Sequence, residues 1–331
     1  MLKIIFLADT HLGFDFPLKP KKEKRRRGID FFNNFDKILE YAKKINANLV
    51  IHGGDLFFRT LVPPPIVDMV YERIHNFAET GIPIVIVPGN HESSRLPTSI
   101  FMQHPNIHYF TKPQVFTFHK NGIDLDVAGF PCVRKEVKIK FPEITAQIQP
   151  LLRENAIKLL CMHQSVEGAK VGPSDYTFRY GKDVIPINQL PPDYQLFLSG
   201  HIHRQQILWS EHQTPVIYPG SIERTAFAEK NEEKGFYEIT IEKNNQISYL
   251  FKKLKSRPMV DIMLDKENYS ITDLEDAIKQ QVKTLHPDSI LRFKMKYASN
   301  LSLLNIKMLD KIVPSSMNYQ IAGFKDFTNL V

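Results

Sequence analysis

An α/β fold followed by a smaller α+β module is the architecture this chain predicts. Two observations carry the prediction. Through the first 255 residues, short apolar runs of strand length alternate with segments whose apolar residues recur at helical spacing. After a break at Lys253-Leu254-Lys255-Ser256-Arg257-Pro258, a compact strand, helix and strand pattern begins. Domains are therefore expected over 1–255 and 256–331.

Taken in order, Lys3 to Ala8 is an apolar run and reads as the first strand. Phe31, Phe35, Ile38, Leu39, Ala42 and Ile45 then give a helix over 31–44. Leu49 to His52 is a second strand, with Gly53 and Gly54 permitting a tight turn. Pro63, Pro64 and Pro65 precede a helix over 66–78, because proline suits a helix's first turn. Ile84 to Val87 and Ile123 to Phe130 read as strands, and 143–155 as a helix. Ile157 to Met162, Leu196 to Leu198, Pro215 to Tyr218 and 235–242 complete the strands of the first domain. In the second, Met259 to Leu264 and Ser289 to Lys296 flank a helix over 270–285. Ser270 or Thr272 caps that helix, and Leu274, Ala277, Ile278 and Val282 form its apolar face.

Five of the apolar runs end in polar groups of one chemical kind: Asp9-Thr10-His11, Gly54-Asp55, Gly89-Asn90-His91-Glu92, His163 and Gly200-His201-Ile202-His203. Alternate residues of a strand share a face, so Asp9 with His11, and His201 with His203, can each serve one site. Open α/β sheets place their sites at the carboxyl ends of strands. Any one segment alone is ordinary; a lone Asp-x-His or Gly-Asp is usually a solvated turn. Together they supply carboxylate, amide and imidazole donors for two divalent ions, the parts of a two-metal phosphoesterase site. The thiolate-free set suits Mn²⁺, with Fe or Zn as alternatives. Cys161, two residues before His163, reads as a packed thiol, and His52 as a strand residue.

These residues resemble the calcineurin-like metallophosphoesterases, whose pattern is DxH, GD, GNH(D/E), H and GHxH. The resemblance implies a sandwich of two sheets flanked by helices. It makes Asp9, His11, Asp55 and His203 ligands of one metal, and Asp55, Asn90, His163 and His201 ligands of the other. His91 stays unbound near the leaving group, and Glu92 is a candidate to orient it through its ring N–H. The C-terminal module, Asp55-Leu56-Phe57, Arg27-Gly28-Ile29-Asp30 and the segment Gly220-Ser221-Ile222-Glu223-Arg224 further resemble the SbcD-type DNA repair nucleases. That likeness implies a manganese-dependent exonuclease and endonuclease, a homodimer and an SbcC-type ABC ATPase partner. Two features differ from those relatives. Phe58 stands where many carry a histidine supporting the catalytic one. The stretch from Ala322 to Val331 is shorter than the module with which longer relatives bind the ATPase. A phosphatase, a cyclic-nucleotide phosphodiesterase or a non-catalytic scaffold are the alternatives on the same fold.

Composition narrows the partners. The 331 residues are 43% hydrophobic and 24% charged, an ordinary globular balance. Two cysteines make no disulfide framework, so a reducing cytoplasm is expected. The first strand begins at Lys3, which leaves no room for a signal peptide, and no apolar run is long enough for a membrane span. A net charge of +7 favours an anionic partner. Lys19, Lys21, Lys22, Lys24, Arg25, Arg26 and Arg27 crowd one short segment after the Asp9/His11 strand. Lys21, Lys22, Arg25, Arg26 and Arg27 are expected to follow a DNA backbone; Ser221 and Arg224 join them through the resemblance. Ile66, Val67, Val70, Ile74 and Phe77, with Ile100, Phe101 and Met102, are the expected dimer surface.

Overall fold

The computed structural model describes residues 1–15, 27–92, 104–297 and 302–322. They form two compact units. The first holds Met1–Phe14 and Gly28–Lys255; among the described residues, the second holds Asp15, Arg27 and those from Ser256 on.

Two mixed sheets make up the first unit. One sheet contains β1 (Leu2–Leu7), β2 (Leu49–His52), β3 (Ile84–Ile86) and β4 (Ile107–Tyr109), all parallel. The other begins with β5 (Gln114–Lys120), β6 (Ile123–Gly129) and β7 (Ile157–His163). Four two-residue strands follow: β8 (Ser165–Val166), β9 (Lys170–Val171), β10 (Tyr176–Thr177) and β11 (Val184–Ile185). β12 (Leu196–Gly200), β13 (Gln206–Trp209) and β14 (Pro215–Tyr218) return to the second sheet, whose order is β13-β14-β12-β7-β6-β5. β15 (Gly235–Ile241) and β16 (Ile247–Lys253) add antiparallel to the first, giving β16-β15-β1-β2-β3-β4.

Side chains from both sheets meet in one core. Ile4, Phe6, Leu49, Ile51 and Ile239 from the first join Leu125, Val127, Leu159, Cys161, Leu198 and Ile217 from the second. Strand alternation sends Leu160, Met162, Phe197 and Val216 to the opposite face of the second sheet, where they pack with Phe141 and Ile148. Those two residues belong to α3 (Val137–Ile148).

Helix boundaries depart from the sequence reading for identifiable reasons. α1 (Gly28–Lys44) begins three residues earlier than its apolar stripe, and Phe31, Phe35 and Ile38 are fully buried. α2 (Pro64–Ala78) carries Pro64 and Pro65 in its first turn. Ile66, Val70, Ile74 and Phe77, read as dimer-forming, are at most 1% exposed within this one chain; Ile100, Phe101 and Met102 lie outside the described residues. α3 starts before Pro142 rather than after it and ends at Ile148, where Gln149–Leu151 tightens into a 3₁₀ turn around Pro150.

The second unit exceeds the expected strand, helix and strand. β17 (Met259–Leu264), α4 (Ile271–Lys283) and β18 (Ile290–Met295) are joined by α5 (Ile306–Ile312) and β19 (Asn318–Ile321). All three strands are parallel, so each successive pair needs a crossover. The Ser270 hydroxyl caps α4 by accepting from Asp273 N at 3.1 Å. Among the described residues, no helix is long and apolar enough to cross a membrane.

Candidate metal centre

Four donor residues stand where the backbone turns left-handed. Asp9 has φ 52°, His11 44°, Asp55 53° and His201 84°. Such conformations cost about 1–3 kcal/mol each and gather at functional sites. Asp9 and His11 therefore do not share a strand face, because β1 has already ended at Leu7. Their turns are held by Asp9 N donating to Gly54 O at 2.9 Å, and by His11 N donating to Asp55 O at 3.0 Å. His52 braces the same corner. Its Nδ1 accepts from Gly54 N at 3.2 Å, and its Nε2 lies 2.9 Å from the Thr10 hydroxyl. Glycine is required beside it. Gly54 has φ 102°, and a Cβ there would fall on the His163 ring.

Asp55 sits at the centre. Its Oδ1 accepts from His91 N at 2.9 Å; its Oδ2 lies 3.4 Å from His163 Nε2 and 3.8 Å from His91 Nε2. The Asn90 side-chain oxygen lies 3.0 Å from His163 Nε2 and 2.8 Å from His201 Nδ1. His11 Nε2 and His203 Nε2 face each other at 2.8 Å. Donor atoms lie within 4.8 Å of one another in the groups Asp9/His11/His203, His11/Asp55/His91 and Asp9/Asp55/His163. The structure thus brings together Asp9, His11, Asp55, Asn90, His163, His201 and His203, with His91 beside them.

This donor set fits divalent ions. Among the described residues, His11 has no oxygen acceptor at either ring nitrogen, and its Nδ1 is buried without a hydrogen-bond partner. Burial, and then His203, push the His11 imidazole well below its usual pKa, leaving the neutral ring that metals bind. Burial works against the charge on Asp55. His163, His11 and His91 outweigh it and hold that carboxyl well below the usual carboxylate range. Thiolates take no part. Burial pushes the Cys132 thiol up to about 12 and the Cys161 thiol higher still.

His91 is oriented by a partner the sequence did not disclose. Its Nδ1 lies 2.6 Å from the backbone oxygen of Phe58. Glu92 does not take the expected place beside the His91 ring. It is buried, and its two oxygens accept from Phe57 N at 2.6 Å and Gly89 N at 2.7 Å. Glu92 pins two loops together, and orientation of His91 falls to a main-chain carbonyl.

The expected DNA contacts fare differently. Lys21, Lys22, Arg25 and Arg26 lie outside the described residues. Arg27 is buried at 8% exposure, and its backbone N–H donates to Asp15 Oδ2 at 3.2 Å. Ser221 is fully buried, with its hydroxyl donating to Glu223 O at 2.9 Å. Arg224 donates from Nε to Glu229 O at 3.1 Å and from Nη2 to Glu232 O at 2.9 Å. Ser221 and Arg224 are thus turned inward, against the reading that they face DNA. That reading missed Glu229 and Lys234, because neither stands in a short motif.

Mixed sheets facing each other, with an oxygen and nitrogen donor cluster at their strand ends, define a metallohydrolase architecture. Residues 2–205 match the calcineurin-like phosphoesterases, and the chain belongs to that family. Its fold is also that of a dimetal phosphatase from Danio rerio. The two share a TM-score of 0.50 and 9% identity over 76% of this chain and 96% of that one. A protein of Thermus thermophilus gives a TM-score of 0.46 and 10% identity, over 76% of this chain and 98% of its own.

Proposed function

We propose that this chain is a two-metal phosphodiesterase that cleaves DNA, a nuclease of the SbcD type. The observation that carries the reading is the convergence of Asp9, His11, Asp55, Asn90, His163, His201 and His203 on Asp55. The net charge of +7 and the run of basic residues from Lys19 to Arg26 in the sequence support a polyanionic substrate. In this reading Asp9, His11, Asp55 and His203 hold one ion. Asp55, Asn90, His163 and His201 hold the other, with Mn²⁺ as the expected metal. The pair of ions supplies charge neutralisation for the phosphoryl oxygens and an acidified water.

The protein's own part is to place and protonate. With Nδ1–H donated to the Phe58 carbonyl and a second proton on Nε2, the His91 ring presents that Nε2–H to the departing sugar oxygen and gives up its proton. Its side chain is 35% exposed, open to a substrate, whereas Asp55 at its side is 3% exposed. His163 is kept in place by its Nδ1 donating to Gly53 O at 2.8 Å, which leaves Nε2 as the donor atom.

A phosphatase is the second reading, and the dimetal phosphatase from Danio rerio on the same fold favours it. End-labelled single- and double-stranded DNA, a chromogenic phosphodiester and a phosphomonoester, each assayed with Mn²⁺ and Mg²⁺, separate the two. DNA cleavage lost in His91→Ala supports the nuclease. Turnover of the monoester alone refutes it.

A further inference from the structure

We infer that Glu229, with Lys234 behind it, is a positioning residue for His203, and that the segment from Ser221 to Lys234 exists at this site to hold that carboxylate. The inference rests on the reading of His203 as a metal ligand. Glu229 lies beyond residues 2–205, the span that matches the family.

His203 Nδ1 lies 3.0 Å from Glu229 Oε1, while its Nε2 points at His11 Nε2. A carboxylate accepts only, so the ring must carry its proton on Nδ1. Nε2 is left as a lone pair aimed into the donor cluster. Metal-binding histidines are commonly fixed in this way. The opposite tautomer would set a lone pair against Glu229 and an N–H against the ion.

The carboxylate is itself held from several sides. Its Oε2 lies 2.6 Å from Lys234 Nζ, and Lys234 is fully buried. The same ammonium donates to the His203 backbone oxygen at 2.9 Å and to Glu232 Oε2 at 3.0 Å. One buried cation thus grips both the main chain of His203 and the group that orients its ring. The Thr225 hydroxyl donates to Glu229 Oε1 at 2.5 Å, and the Ser221 hydroxyl lies 3.4 Å from Oε2. Arg224 fastens the main chain of Glu229 and Glu232. The inward turn of Arg224 has its explanation here: it fastens the loop that carries Glu229.

A plain structural ion pair would stabilise the fold without acting on the metal, and the test divides these roles. Mn²⁺ binding to the metal-free protein is measured by electron paramagnetic resonance of the free ion, alongside the melting temperature. Four proteins are compared: wild type, Glu229→Gln, His203→Ala and the double variant. Glu229→Asp, which keeps the charge for Lys234 but withdraws the oxygen from His203, serves if the glutamine variant fails to fold. The expected result is a fall in Mn²⁺ affinity of ~10–100-fold at one of two sites on changing Glu229 in the wild-type background. In the His203→Ala background the same change should leave affinity within about twofold, because the ring it acts through is gone. An equal fall in both backgrounds, or unchanged affinity with a lowered melting temperature, overturns the inference. DNA cleavage is no part of the readout, so failure of the nuclease reading would not imitate failure here.

Discussion

Replacing His91 with alanine should separate chemistry from metal binding. The substitution removes a ring that makes one short contact, Nδ1 to Phe58 O at 2.6 Å. It spares the backbone N–H that holds Asp55 Oδ1 at 2.9 Å, so the central carboxylate keeps that anchor. The stability change is then that of one hydrogen bond, about 0.5–1.5 kcal/mol. Loss of a proton donor to the leaving group typically costs ~10²–10⁴-fold in rate, or about 2.7–5.4 kcal/mol of barrier at about 1.36 kcal/mol per decade. The assay compares kcat on duplex DNA with kcat on bis(p-nitrophenyl) phosphate, both with Mn²⁺. Nitrophenolate departs without a proton, so the deficit on that ester should shrink to under about tenfold. Metal content by mass spectrometry should match wild type. A loss of the same size on both substrates, or one missing ion, would refute the assignment of His91 as acid.

Asp55→Asn should release both ions and abolish hydrolysis, since the two proposed ligand sets share Asp55; two ions retained in elemental analysis would contradict its proposed bridging place. Chelation should lower the melting temperature as well as activity, because an ion present at 100 times its Kd adds ~2.7 kcal/mol of stability; an unchanged melt would mean that the folded cluster binds no metal. Arg153→Ala should cost about 3 kcal/mol in urea unfolding. It leaves fully buried Asp126 without the guanidinium whose Nε lies 2.7 Å from it; a loss under about 0.5 kcal/mol would show the pair to be screened. Replacing Lys21, Lys22, Arg25 and Arg26 with Ser should flatten the salt dependence of DNA binding by ~0.9 per lost phosphate contact and spare a small phosphodiester. An unaltered slope would remove the segment from the DNA surface.

The sequence disclosed the strands that carry donors because parallel buried strands are unbroken apolar runs, as at Ile4 to Leu7 and Leu159 to Met162. Donors placed directly after such runs, such as Asp9, Asp55 and His201, were legible for the same reason. What escaped was contact across long separations and through the main chain. The Phe58 carbonyl that orients His91 has no residue type of its own, so no pattern of letters could show it. Glu92 adjoins His91 in sequence, yet its side chain turns inward to the N–H groups of Phe57 and Gly89. Ser221 turns to the main chain of Glu223 and Arg224 to that of Glu229 and Glu232, while Glu229 meets His203 only when the chain returns over 26 residues. In the second unit, α5 covers only seven residues and β19 only four, too short for periodicity to register.

The left-handed backbone at Asp9, His11, Asp55 and His201 decides how this site can be dissected. Alanine at any of them would remove a donor and at the same time place a Cβ-bearing residue with no local polar compensation in a conformation it disfavours. Lost metal and lost fold would then arrive together, and an alanine scan would assign both to the missing side chain. Asparagine adopts left-handed φ far more readily and keeps the volume of aspartate. At Asp9 and Asp55 it therefore leaves the turn intact and changes only the donor chemistry; at His11 and His201 it leaves the turn intact and removes the imidazole.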